Sequence, residues 1–188
     1  MTAARAEQAP ITAPALGMIL FISSEVMFFA GLFAAYFTIR ARAAAWPPAG
    51  VEALEVVLPA IATAVLVGSS FTAHRAVSAA ERSDGGASMW LGITIAMGAV
   101  FLGAQGYEYS QLGFSVADHS YGTLFYAMTG FHALHVAGGL AALALVWVKN
   151  ARGDLRGGHA GPAIAVGYYW HFVDVVWVAL FSTLYLLG

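Results

Sequence analysis

The run Ala15–Ile39, ALGMILFISSEVMFFAGLFAAYFTI, holds one carboxylate, Glu25, and no lysine or arginine. A hydrocarbon core of about 30 Å needs roughly 20 apolar residues in helical form, so this run is long enough to span a bilayer. Four further runs repeat the pattern: Val56–Ala73, Met89–Tyr107, Leu124–Val148 and Ala163–Leu187. Allowing for tilt and uncertain ends, each has the length of a span. Of 188 residues, 60% are apolar and only 10% are charged, whereas soluble domains average about 25% charged residues. The expected fold class is therefore all-α: an integral membrane bundle of five transmembrane helices forming one domain over residues 1–188.

The breaks between runs have clear causes. Arg40, Arg42 and the tandem Pro47-Pro48 end the first, since tandem prolines cannot continue a helix. Arg75 through Gly86, the segment Ser110–Tyr121 and the glycine-rich Lys149–Pro162 separate the others. Five spans place the termini on opposite sides. With the N-terminus inside, the inner segments hold Arg5, Arg75, Arg82, Lys149, Arg152 and Arg156, and the outer ones hold Arg40 and Arg42. The positive-inside rule then predicts N-terminus inside and C-terminus outside.

Several function classes fall away. A net charge of −2 offers no basic surface for nucleic acid. The absence of cysteine removes disulfides, thiolate-bound zinc and iron–sulfur clusters. Met1–Leu16 lacks a basic stretch followed by a short apolar core, so no signal peptide is expected. No inverted repeat is visible and no span is broken by an internal proline paired with glycine, which argues against a carrier or channel.

An ionisable group inside a span costs about 2.5–3.5 kcal/mol on insertion scales, so each one needs a reason. Glu25 lies ten residues past Ala15, or roughly 15 Å along the axis, near mid-membrane. Phe21, Phe28 and Phe29 share its side of the helix at i−4, i+3 and i+4, and such surroundings disfavour the charged form. Two readings stay open: a proton-linked carboxylate, or a neutral acid bonded to a backbone carbonyl or serine that locks packing. The fifth span sets His171 and Asp174 on one stripe with Trp170 and Trp177, and the fourth sets His132 and His135 one turn apart. Both pairs fall near mid-membrane, where Asp174 can accept from an imidazole across the interface.

This set also has the residue types of a metal or haem site. The large neighbours Phe131, Phe172 and Trp177 suit a packed interface better, so an interhelical hydrogen-bond cluster of His132, His135, His171, Asp174 and Glu108 is expected. Glu108 closes the third span among tyrosines, where it can stay hydrated. His74 and Arg75, at the inner end of the second span, can hold a lipid phosphate. Gly98, Gly103, Gly106 and Gly138-Gly139 are small residues that let helices approach closely.

Four motifs occur in order: Ser24-Glu25-Val26-Met27-Phe28-Phe29-Ala30-Gly31, Gln105-Gly106-Tyr107-Glu108-Tyr109, Thr129-Gly130-Phe131-His132-Ala133-Leu134-His135, and Tyr169-Trp170-His171-Phe172-Val173-Asp174 running on to Trp177. Together they closely resemble subunit III of haem–copper cytochrome c oxidases, over about Gly17 to Gly188. The resemblance implies a chain without haem or copper, which belong to partner subunits. It implies packing against subunit I, with subunit II in the same complex, and phospholipids bound between helices. It also implies support of proton uptake and protection of the complex during turnover. By position, Glu25 matches the family's buried membrane carboxylate, and His132, His135, His171, Asp174 and Glu108 match polar positions of its bundle. The five spans match the last five of a longer, seven-helix form, which implies a bacterial or archaeal cell membrane. Quinol oxidases of the superfamily have a similar five-helix subunit, and an accessory protein of nitric oxide reductase is also related. The Ser-Ser-Glu-Val and Tyr-Tyr-Trp-His-Phe-Val-Asp runs favour the cytochrome c branch.

Overall fold

The computed structural model describes residues 13–51, 54–155 and 160–187. Five long helices follow in order: α1 Ala13–Arg42, α2 Val57–Glu81, α3 Ala87–Gln111, α4 Ser120–Ala151 and α5 Gly161–Phe181. A π turn over Ser182–Leu186 continues α5. All five are long and apolar enough to cross a membrane, and the described residues contain no strand. Arg5 and Arg156, both assigned above to the inner side, lie outside the described residues.

The helices outrun their apolar stretches. The second run ends at Ala73, yet α2 continues to Glu81 because Ala76, Ala79 and Ala80 are strong helix formers and are buried. A tight turn then reverses the chain. Ser83 adopts a positive φ of 54°, and the Asp84 carboxylate accepts from the Gly86 amide at 2.9 Å. The fourth helix starts at Ser120 rather than Leu124, since the His119 imidazole accepts from the Gly122 amide and caps it.

The last helix is the axis of the bundle. It packs against α1, α2 and α4, while α3 lies between α2 and α4. Of its most apolar stretch 56% is buried, against 6% for α1, which sits at the periphery. Between membrane helices the hydrophobic effect is weak, so close packing and interhelical hydrogen bonds must hold the bundle. Trp170 supplies both. A Cβ at Gly98 of α3 would fall 2.7 Å from its ring, and one at Gly139 of α4 would fall 2.9 Å from it. Its indole N–H donates to Ser69 Oγ of α2 at 2.8 Å. One buried side chain thus touches three helices, and two glycines make the space for it. Gly103 and Gly106 have open space where a Cβ would stand, so they do not serve close packing within this chain.

Trp177, two turns further along α5, donates to Thr63 Oγ1 of α2 at 2.8 Å and packs edge-on against Phe101 of α3. Near the end of α1, Tyr36 accepts from the Trp46 indole at 2.9 Å and donates to the Thr183 carbonyl at 3.4 Å. That pair ties the peripheral helix to the π turn.

Candidate functional site

Glu25 sits on α1 and His135 on α4, and the two meet across the interface with Oε2 and Nε2 at 2.9 Å. Both side chains are mostly buried. His135 Nδ1 lies 2.7 Å from the Phe131 carbonyl, one turn back on its own helix. A carbonyl can only accept, so Nδ1 carries a proton and donates it. Two states then complete the Nε2 contact: a protonated acid donating to a bare nitrogen, or an imidazolium donating to a carboxylate. Either way one proton lies between the two atoms, and the pair has zero net charge. The arrangement therefore avoids most of the penalty of a lone intramembrane charge. It also allows a proton to pass between two heavy atoms without any change in net charge.

The walls of this pair are aromatic. Phe28 stacks on the His135 ring at 6.2 Å between centroids, and Phe29 meets it edge-on at 5.0 Å. Tyr169 of α5 donates to the His135 carbonyl at 3.1 Å and so braces the same turn of α4. Ser23 and Ser24 donate instead to the Ile19 and Phe21 carbonyls of their own helix. The imidazole, rather than a serine, is thus the partner of Glu25.

The polar residues expected as one cluster occupy four places. His171 and Asp174 of α5 do not reach the histidines of α4; they share Ser70 of α2. His171 Nδ1 lies 3.0 Å from Ser70 Oγ, and Ser70 donates to Asp174 Oδ2. His132 is fully buried, stacked on Trp177 at 4.9 Å and edge-on to Phe101, with neither ring nitrogen hydrogen-bonded among the described residues. Glu108 accepts from Gln105 at 3.1 Å and lines a cavity of about 630 Å³ at the end of α3, beside Glu55, Asp118 and His119. His74 and Arg75 are exposed, and the Arg75 guanidinium lies 5.9 Å over the Trp90 ring. Among the described residues no three His, Asp or Glu side chains converge on a point where a metal could sit.

Helix geometry explains the division. Residues three apart differ by about 60° around the axis, and α4 packs on both flanks. That angle sends His132 towards α3 and α5 and His135 towards α1. Sequence reasoning overlooked Ser70 and Tyr169 as members of these groups. Ser70 adjoins Ser69, but the run Val56–Ala73 also carries Thr63 and Thr72, so a hydroxyl there does not single it out.

On the sequence side, the family model described as cytochrome c oxidase subunit III matches residues 7–188. The chain is 49% identical over 175 residues to a probable cytochrome c oxidase subunit 3 of Nocardia farcinica, covering 90% of this chain and 86% of that protein. It is 46% identical over 177 residues to the protein of that name in Mycobacterium tuberculosis strain H37Rv, covering 92% and 87%. Against the cytochrome c oxidase subunit 3 of Thermostichus vulcanus it is 45% identical over 175 residues, covering 92% and 86%.

Proposed function

The chain belongs to the cytochrome c oxidase subunit III family, and we propose that it serves a haem–copper oxidase as a non-redox subunit, supporting assembly, stability and proton uptake. The contact between Glu25 and His135 carries this reading. It stores one exchangeable proton at mid-membrane in a net-neutral pair, and it links two helices whose only bond of this kind it is among the described residues. Haem and copper, held by partner subunits, supply the oxygen chemistry. This chain's part is to hold a proton between Oε2 and Nε2 and to keep α1 seated on the bundle. Its partners are then subunit I, which carries the redox centres, subunit II and phospholipids. The relatives' names point to cytochrome c rather than quinol as the electron donor.

The membrane is the cell membrane of a bacterium, as the relatives' sources suggest. The N-terminus lies inside and the C-terminus outside. Arg75, Arg82, Lys149 and Arg152 then face the cytoplasm, and Arg40 and Arg42 the opposite side. His74 and Arg75, exposed at the inner end of α2, are placed to hold a lipid phosphate.

Purification through a tag on this chain tests the reading. The expected product is a complex with haem absorption that oxidises reduced cytochrome c. A complex that oxidises quinol alone, or a stoichiometric haem on this chain by itself, would contradict it.

A further inference from the structure

The two mid-membrane polar groups differ in one respect. The Glu25–His135 pair is closed on itself, because both imidazole nitrogens and one carboxylate oxygen are bonded within the chain. The group on α2 and α5 is open. His171 uses Nδ1 on Ser70, and Ser70 is engaged by Asp174. His171 Nε2 has no hydrogen-bond partner among the described residues, and the ring is half-buried at the bundle surface.

Its depth makes this costly. His171 lies ten residues past Gly161, and Ser70 thirteen past Val57, about 15–20 Å along their helices. Lipid chains offer nothing to bond an imidazole nitrogen. Around it runs a stripe on α5, Tyr168, His171, Val175 and Val178, at helical spacing. Phe71, 73% exposed, flanks it on α2, and Val175 is 69% exposed.

Resting on the reading of this chain as an oxidase subunit, we infer that the face of α2 and α5 around His171 is a docking surface for a transmembrane helix of another subunit, which presents a hydrogen-bonding side chain to His171 Nε2. The partner is polar at one mid-membrane position and apolar around it, to match Phe71, Val175 and Val178. The face of α1 and α4 makes no such demand, since its polar pair is already satisfied.

Photo-crosslinking in the intact complex tests this. A benzophenone amino acid replaces Val175, and a second version replaces Leu134 on α4 as the comparison site, itself 67% exposed. Irradiation of membranes should join the Val175 probe to another oxidase polypeptide, with no such adduct from Leu134. Adducts to lipid alone, to a second copy of this chain, or none at all would overturn the inference. Second, His171→Leu should weaken retention of this chain in the detergent-purified complex roughly three- to fifteen-fold, the range for membrane hydrogen bonds. His171→Gln, which keeps a polar group near the Nε2 position, should restore most of it. Equal retention of all three forms would also overturn it. A preparation without haem would instead contradict the oxidase reading, so the two failures are distinguishable.

Discussion

Substituting Gly139 by alanine places a Cβ 2.9 Å from Cε3 and Cζ3 of Trp170 and 3.3 Å from Cε1 of Tyr169. Carbon atoms prefer about 3.5–4.0 Å, so the indole must retreat by more than half an ångström. It has nowhere to go. On its far side the ring edge fills the space beside Gly98, where even a Cβ would fall 2.7 Å away, and the indole N–H is tethered to Ser69. Overpacking of this kind costs about 1–3 kcal/mol. Gly103→Ala provides the internal control. Nothing lies within 4 Å of the added methyl, so it should be neutral or more stable by up to about 1 kcal/mol through helix propensity. Thermal unfolding of the purified complex, followed by loss of this chain, reads both. Trp170→Phe added to Gly139→Ala should recover part of the loss, because a smaller ring leaves room. A Gly139→Ala chain as stable as the parent would refute the wedge of Trp170 between α3 and α4.

Three further outcomes follow from the same geometry. In a double-mutant cycle of Glu25→Ala and His135→Ala, each single change should cost about 1–3 kcal/mol by leaving a buried polar group unpaired. The double change should cost less than their sum, and strict additivity would show that the two do not interact. Trp177→Phe removes the bond to Thr63 and should lower stability by roughly 0.6–1.7 kcal/mol, whereas Thr63→Ala in that background should add little. Asp118 accepts from the Ser115 amide at 2.6 Å and from its hydroxyl at 2.7 Å. These bonds hold its carboxyl below the usual aspartate range. With the folded value depressed, its stabilisation of the segment before α4 is complete above the ordinary aspartate pKa and is lost as pH falls through the lower one. Amide protection at Ser115 should therefore persist at mildly acidic pH and drop only in stronger acid, and Asp118→Asn should weaken that dependence.

The five spans were legible because a hydrocarbon core imposes one length on every apolar run. Their ends were less so. Ala76, Ala79 and Ala80 carry α2 beyond its apolar stretch, since helices continue wherever good formers follow, in or out of the hydrocarbon. Glu25 stood out in the sequence because an acid in such a run is rare. Its pairing with His135 did not, as the two are 110 positions apart and only the crossing of α1 and α4 brings them together. The i, i+3 spacing of His132 and His135 suggested a shared face, but 60° of rotation separates two packed interfaces. Ser70 escaped notice for a different reason. A small hydroxyl residue costs little in a span, so nothing in the sequence marks it as the link between His171 and Asp174.

The central proposal is that Glu25 and His135 hold an exchangeable proton between them, and Glu25→Gln tests it most directly. Glutamine keeps the shape and can still donate to Nε2, but it cannot exchange a proton. In the reconstituted oxidase, proton uptake and its persistence over many turnovers should fall for Glu25→Gln while the content of this chain in the complex stays at the parental level. Full parental uptake and persistence in that variant would contradict the account and leave the pair as a packing contact.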